Sequence, residues 1–173
     1  MISPRSRPAS DRSVPDRVVP EGRTEGRSLW GLLCLLLCLL APGAHAELAA
    51  AERAEVEAFL HGYFARWSAA DIDGYGETFH ATAVVHHVDA SGRATRQDLQ
   101  DFLRGQRRAH QRAPGMTEVP LAMDIEEQRP GFVRALVHWE LRQGARRERG
   151  YDHFFLLREA QGWRILSLVF HGE

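Results

Sequence analysis

The sequence predicts an α+β domain with an antiparallel sheet. Apolar residues recur at helical spacing early in the chain, and strand-like segments separated by glycine turns follow one another late in the chain. Helices gathered before strands are typical of α+β domains. Apolar side chains also occupy both faces of several late segments, for example residues 154–157, so we expect both faces of the sheet to be covered.

The first 46 residues are predicted to lie outside this domain. Residues 1–28 are rich in Arg, Ser and Pro without apolar periodicity, which is typical of disorder. The apolar run 29–41 is shorter than the roughly 20 residues that span a bilayer, but it suits the centre of an export signal. Because an A-x-A pattern ends at Ala46, we expect cleavage there, export to the periplasm or beyond, and no stable membrane anchor afterwards. A short membrane anchor is the alternative.

Residues 47–173 are predicted to form the folded domain. Both cysteines, Cys34 and Cys38, precede it, so it contains no disulfide, thiolate metal site or cysteine nucleophile. Its 16 arginines and 19 acidic residues give a net charge of −3 with histidine neutral. That charge argues against nucleic acid as a partner, because binding the phosphate backbone requires a concentrated basic face.

Two helices are predicted before the first strand. Residues 48–69 carry aliphatic and aromatic side chains at helical spacing, and the buried stripe includes Tyr63 and Trp67. Asp71 is a typical N-cap for a short second helix that carries Tyr75 on its apolar face.

A strand and a third helix follow. FHATAVVHHV at 79–88 is predicted to be a strand because of its β-branched content, and residues 89–92 form a turn. Thr95 followed by Asp98 resembles a capping box that opens a helix reaching about His110, with Phe102 on its buried stripe.

The rest of the domain is predicted to be a meander of strands. Glycine turns at Gly131, Gly144 and Gly162 separate the segments. The predicted strands are 117–127, 132–142, 147–158 and 163–171. A homodimer is the simplest cover for the outer face of this sheet.

Three segments make the chain resemble a known superfamily: FHATAVV at 79–85, GRATRQDLQDFL at 92–103 and GYDHFFLLREAQGWRILSLVFH at 150–171. With the order of elements, they are similar to the nuclear transport factor 2-like superfamily over residues 52–172. The closest likeness is to its lumazine-binding branch, with SnoaL-like cyclases and ketosteroid isomerases more distant. The resemblance implies a cone, in which a curved antiparallel sheet wraps three N-terminal helices around an internal pocket. It implies no single chemistry, because this scaffold hosts many functions.

The resemblance also implies two candidate catalytic residues. Aligned without gaps on the ketosteroid isomerases, Tyr63 falls at their oxyanion-binding tyrosine, and His87 replaces their catalytic carboxylate. A histidine can act as a general base because its pKa lies near neutral pH. The other interpretation of Tyr63, as of Trp67 and Phe102, is an ordinary core aromatic residue.

The three histidines of the first strand are predicted to have different roles. Neighbouring side chains on a strand point to opposite faces, and the resemblance puts His87 inside and His86 outside, at the surface or a dimer contact. His80 is expected to cap the second helix. A zinc site of His87, His138 and His153 is conceivable, but no spacing marks one, and we predict neither metal nor cofactor.

The inner face of the last two strands depends on their register. The turn at 159–162 predicts that His153 faces Leu168, and the resemblance then turns His153, Phe155 and Phe170 inward. Asp152 is expected on the outer face, paired with an arginine such as Arg164. One extra residue in the turn would reverse the choice and turn Asp152, Phe154, Trp163 and Ile165 inward.

The leading functional prediction is an exported domain that binds a small, largely apolar or aromatic molecule. The predicted pocket residues are Tyr63, Trp67, Phe102, His138, His153, Phe155, Leu168 and Phe170. The first alternative is an isomerase, dehydratase or cyclase-type enzyme, with His87 as general base and Tyr63 as hydrogen-bond donor to an oxyanion. The second alternative is a dimeric assembly module that works through the outer sheet face.

Overall fold

The computed structural model describes residues 48–173, which form three helices and six strands. In chain order these are α1 (Ala50–Ser68), α2 (Ile72–Gly76), β1 (Phe79–Val88), β2 (Ala94–Asp98), α3 (Leu99–Arg112), β3 (Thr117–Arg129), β4 (Phe132–Gln143), β5 (Arg146–Glu159) and β6 (Gly162–Gly172). Within this part of the chain, no helix has both the length and the apolar character needed to cross a membrane. The predicted leader, export signal and cleavage site lie outside the described residues and stay predictions.

The six strands form one sheet in the order β2-β1-β6-β5-β4-β3. Neighbouring strands run antiparallel, except that β1 and β6 pair in parallel. The sheet is curved and does not close on itself, and helices cover its concave face. The predicted α+β fold is therefore confirmed, with one parallel pairing at the point where the early strand joins the late meander.

Helix α1 is held on the sheet by the stripe that its sequence predicts. The buried residues of this helix are Val56, Leu60, Tyr63, Phe64 and Trp67. Their spacing of three and four residues places them on one side, where they cover the sheet. At the end of the helix, the Ser68 hydroxyl donates to the Glu118 carbonyl and accepts from the Glu118 N–H, at 3.0 and 2.8 Å. These bonds tie the end of α1 to β3.

Two local predictions near the helix termini were wrong. Asp98, not Thr95, caps α3, because its carboxylate accepts a 2.8 Å hydrogen bond from the Asp101 N–H. Thr95 lies in β2 opposite His87. His80 belongs to β1 instead of capping α2, and its Nδ1 accepts a 3.1 Å hydrogen bond from the Thr82 N–H. The Asp71 cap of α2 is confirmed, since its carboxylate accepts from the Gly74 N–H.

A bulge in β6 decides which residues of the last two strands face inward. Leu156 pairs with Ile165, but Phe155 pairs with Ser167, so Leu166 is an extra residue without a partner on β5. Such a bulge shifts the alternation of side chains by one position. As a result, Ile165 before the bulge and Leu168 after it are both buried.

The same register shift also reverses the predicted inward-facing residues of β5. Asp152 and Phe154 are buried, whereas Tyr151, His153 and Phe155 lie on the outer face. Asp152 is therefore not paired with Arg164, whose guanidinium donates to the Trp163 carbonyl instead.

Candidate functional site

A cavity of about 340 Å³ lies between the helices and the concave face of the sheet, partly open to solvent. Its wall is formed by the three helices on one side and by all the strands except β2 on the other. The lining residues are Tyr63, Trp67, Tyr75, His87, Phe102, Gln106, Glu118, Trp139, Leu141, Glu148, Asp152, Leu168, Phe170 and Gly172. The wall is therefore mainly aromatic, with several polar groups among the rings.

Two tyrosines form a buried hydroxyl pair at the cavity. The hydroxyl groups of Tyr63 and Tyr75 lie 2.6 Å apart and share a hydrogen bond, and their ring centroids are 4.7 Å apart. Burial raises the pKa of both phenols well above the usual value, so both keep their protons at neutral pH. The two hydroxyls carry two protons, and one of these forms the hydrogen bond between the tyrosines. The other proton is available for a hydrogen bond to a ligand oxygen.

Asp152 is the most deeply buried charged residue of the wall, with 5% of its surface exposed. Its Oδ1 accepts a 2.9 Å hydrogen bond from the Trp139 indole N–H. Desolvation raises the pKa of Asp152 to about 7, although the Trp139 bond acts in the opposite direction. The carboxyl is thus able to gain or lose a proton near neutral pH.

A glycine makes room for the tryptophan that contacts Asp152. Gly150 pairs with Trp139 across β4 and β5. A Cβ atom at Gly150 would lie 2.3 Å from Cζ2 of Trp139 and 2.2 Å from the His171 carbonyl oxygen. Since neither distance is sterically possible, any larger residue at 150 would displace the indole from Asp152.

A second carboxyl group, that of Glu118, faces the same cavity. Desolvation raises its pKa well above the usual value, and the nearby Asp152 carboxyl adds to the effect. The main chain of Glu118 is fixed by its two hydrogen bonds with Ser68. The cavity therefore holds a pair of interacting acids, one on β3 and one on β5.

Side-chain contacts also fix the remaining aromatic walls. The Trp67 indole N–H donates to Gln106 Oε1 at 2.9 Å, and the Trp67 ring meets the buried His110 ring at 4.4 Å between centroids. The His87 ring stacks on Phe170 at 4.9 Å with an interplanar angle of 25°. His87 thus lies on the cavity wall, beside an aromatic ring on the parallel strand β6.

The structure brings together six of the predicted site residues and separates three. The lining includes Tyr63, Trp67, His87, Phe102, Leu168 and Phe170. The predicted pocket positions of His138, His153 and Phe155 were wrong, because their inward-facing neighbours on β4 and β5 are the buried ones. His138 instead stacks on Tyr151 at 4.8 Å, and Phe155 is 37% exposed.

The three residues that were wrongly predicted to line the pocket lie on the outer face of the sheet. The His153 ring lies 5.6 Å from the His171 ring, and burial lowers the pKa of His153, with further lowering by His171 and Arg134. His87 lies on the opposite face from His138 and His153, so the three cannot share one ion. Among residues 48–173, no group of three His, Cys, Asp or Glu side chains could hold a metal. The homodimer through this face stays a prediction.

Sequence reasoning missed six polar or aromatic members of the site: Tyr75, Gln106, Glu118, Trp139, Glu148 and Asp152. Asp152 was expected to face inward only if the β5–β6 turn contained an extra residue. The extra residue is instead Leu166, which lies inside β6. Glu118 gave no signal, because an acidic residue at the start of a strand is usually exposed.

Comparisons with solved structures show what the fold is similar to. An NTF2-like protein of unknown function from Shewanella baltica is 18% identical, with a TM-score of 0.55, and the match covers 73% of this chain and 98% of that one. Aln2 from a Streptomyces species is 18% identical, with a TM-score of 0.60 and coverage of 70% and 90%. The β subunit of a benzoate 1,2-dioxygenase from Burkholderia mallei is 12% identical, with a TM-score of 0.60 and coverage of 69% and 89%. At these identities the likeness shows the fold alone.

Sequence comparison adds one family. The family model described as NTF2-like protein (DUF6841) matches residues 52–173. A search among curated proteins found no match. The match begins in the first turn of α1 and extends through all six strands, and therefore over every residue that lines the cavity.

Proposed function

The chain belongs to the NTF2-like family DUF6841, and on that premise we propose that its cavity binds a small, largely apolar or aromatic molecule. The fold family includes both binding domains and isomerase or cyclase-type enzymes, so the function is inferred from the cavity itself. The observation that supports binding most strongly is its volume of about 340 Å³ behind a mainly aromatic wall. Ligand sites start at about 300 Å³ and combine apolar walls with a few polar groups.

The wall supplies both the contact surface and the orientation that such a ligand needs. Trp67 and Phe102 offer ring surface from two different helices, and Leu168 offers aliphatic surface from β6. The Tyr63–Tyr75 pair and Asp152 offer hydrogen bonds at fixed positions, because each is already held by a neighbour. A ligand with an apolar body and one polar group would satisfy both parts.

Calorimetry with 2-naphthol tests the binding proposal. We expect saturable binding to the mature chain, from residue 47 onward, as we propose it to be exported. Leu168→Phe fills part of the cavity and should weaken binding at least 10-fold. Leu136→Phe makes the same substitution on the half-buried outer face and serves as the control, with binding within about 2-fold of the parent. Equal binding by both variants, or none by the parent, would contradict the proposal.

A second candidate function is proton transfer at carbon beside a carbonyl group. Tyr63 and His87 both line the cavity, as that alternative requires, and the hydroxyl pair has a proton left for a developing oxyanion. Asp152 adds a second candidate base, since a carboxyl with a pKa of about 7 exchanges protons readily at neutral pH.

Deuterium exchange separates the enzyme from the binding domain. The α-protons of 2-tetralone exchange slowly with D₂O, and NMR follows the loss of their signals. An enzyme should accelerate the exchange, and Tyr63→Phe and His87→Gln should each reduce the acceleration about 100-fold or more. Exchange no faster than with an equal concentration of imidazole would rule the second candidate out and leave binding.

A further inference from the structure

The charges on the cavity wall point to the kind of ligand. Three of the fourteen lining residues carry carboxyl groups, namely Glu118, Glu148 and Asp152, and none is an arginine. All 22 basic residues of the chain are arginines, and 16 of them lie in the folded part of the sequence. Glu148 is already paired with Arg146, so the wall offers a ligand two acids that form no ion pair within residues 48–173, Glu118 and Asp152.

The aromatic walls favour a positive charge as well. Six of the fourteen lining residues are Tyr, Trp or Phe. The indole N–H groups of Trp67 and Trp139 are already bonded to Gln106 and Asp152. Their rings are therefore what remains for a ligand, and tryptophan rings attract organic cations more strongly than other aromatic rings do.

Asp152 lacks the countercharge that a buried carboxylate requires. Within residues 48–173, its one hydrogen bond is the Trp139 N–H on Oδ1, and no arginine forms an ion pair with it. A buried carboxylate without a cation costs free energy, which is the reason its pKa is raised. A cation in the cavity would provide the missing partner.

We propose that the cavity selects a small organic cation, a protonated amine or quaternary ammonium group on an apolar body, over neutral and anionic molecules of the same shape. This inference rests on the proposed binding function and specifies its ligand class. The aromatic rings would surround the apolar body and the cationic head, and Asp152 with Glu118 would supply the opposite charge. Burial raises the pKa of both acids, to about 7 for Asp152, and a bound cation would lower it again, so binding a cation near neutral pH would release protons.

Titratable groups near Asp152 come from four other elements. Those that share the cavity with it are Tyr63 on α1, Tyr75 on α2, His87 on β1, Glu118 on β3 and Glu148 on β5 itself. The lining residues of α3, β4 and β6 carry no titratable group. Because Asp152 loses its proton as the pH passes about 7, affinity for a cation rises as the pH rises.

A neutral ligand would show the reverse pH dependence. A carbonyl oxygen would accept a hydrogen bond from the protonated Asp152 carboxyl, and that donor disappears as the pH passes about 7. Cation binding should therefore strengthen between pH 6 and pH 8, whereas binding of a neutral acceptor should weaken.

Calorimetry with phenyltrimethylammonium and its uncharged isostere tert-butylbenzene tests the inference. At pH 8 we expect at least a 10-fold preference for the cation, and at pH 6 a smaller one. Asp152→Asn keeps the shape of the carboxyl but not its charge, and should remove at least 10-fold of cation affinity while changing tert-butylbenzene affinity less than 3-fold. Asp124→Asn, an acid on the outer face paired with Arg134, is the matched control and should change neither.

The outcomes separate the inference from the binding function. Equal affinities for the two isosteres, or a cation preference that survives in Asp152→Asn, would overturn the inference while 2-naphthol binding kept the proposed function intact. Failure of all three molecules to bind would contradict both. Proton release measured in two buffers of different ionisation enthalpy should accompany phenyltrimethylammonium alone, and its absence would also count against the inference.

Discussion

The concave face of the sheet has two ends that are built differently, although the same strands run through both. On β5, Phe154 and Leu156 point into one end, where both are fully buried, Phe154 against the Tyr63 ring and Leu156 opposite Ile165 on β6. Two residues earlier on the same strand, Asp152 points into the other end, where it lines the cavity together with a second acid and the pair of tyrosine hydroxyls. We call these the packed end and the cavity end.

The difference shows which part of the molecule holds the fold and which part is available for a ligand. The packed end gains stability from burying hydrocarbon at close-packed density. The cavity end gives up some of that gain, because it keeps a void and a carboxyl group with a raised pKa. Arrangements that cost stability in this way are concentrated at functional sites.

The largest expected effect distinguishes the two ends by stability. Leu156→Ala in the packed end should leave a sealed void and lower the free energy of unfolding by about 4–5 kcal/mol. Leu168→Ala removes the same atoms from a residue that is 1% exposed but already borders the cavity, so we expect about 2–3 kcal/mol. Urea unfolding of both variants measures the pair. Equal losses would mean that the cavity end is packed as tightly as the other.

The next effect is a gain in stability that depends on pH. The raised pKa of Asp152 means that the folded state holds a proton between pH 4 and pH 7 where the unfolded chain does not. The stability that this bound proton contributes to the folded state is fully present below pH 4 and is lost as the pH rises to about 7. Asp152→Asn cannot titrate, so its advantage should grow from near zero at pH 4 to on the order of 4 kcal/mol at pH 8.

Unfolding curves of Asp152→Asn and the parent between pH 4 and pH 8 measure this gain. Asp124→Asn on the outer face is the control, and its difference from the parent should stay nearly constant with pH. A variant that is less stable than the parent at pH 8 would show that the carboxylate is stabilised in the fold, contrary to our description of the cavity end.

The smallest expected effect concerns the hydroxyl pair. Tyr63→Phe or Tyr75→Phe alone leaves one buried hydroxyl without its partner and should cost about 1–2 kcal/mol of unfolding free energy. The double variant removes both hydroxyls and should cost less than the sum of the two. A double-mutant cycle by urea unfolding measures the coupling, and strictly additive losses would argue against a hydrogen bond between the two groups.

The parts of the fold that sequence predicted well are those with a strong period. The stripe of α1 follows directly from apolar spacing, and glycines at 131 and 144 fall in the turns with positive φ. The family resemblance predicted that His87 faces inward. The prediction holds because side chains alternate regularly along its strand from Ala83 to His87.

The parts that sequence could not provide depend on single residues that break a period. Leu166 is one apolar residue among several in β6, and no local signal marks it as the bulge that turns Asp152 inward and His153 outward. The raised pKa of Asp152 has the same origin, since it comes from the surroundings of the side chain in space. Such features follow from tertiary register, which a pattern of apolar residues specifies only to within one position.

The most direct test of the cavity end is an NMR titration of the side-chain carboxyl carbons in the mature chain, with Asp152→Asn used to assign the signal. We predict that the signal missing from the variant shifts with a midpoint at a pH of about 7 in the parent protein. A midpoint near 4 would mean that Asp152 is solvated or paired with a cation, and it would contradict the description of Asp152 as a buried acid without a countercharge.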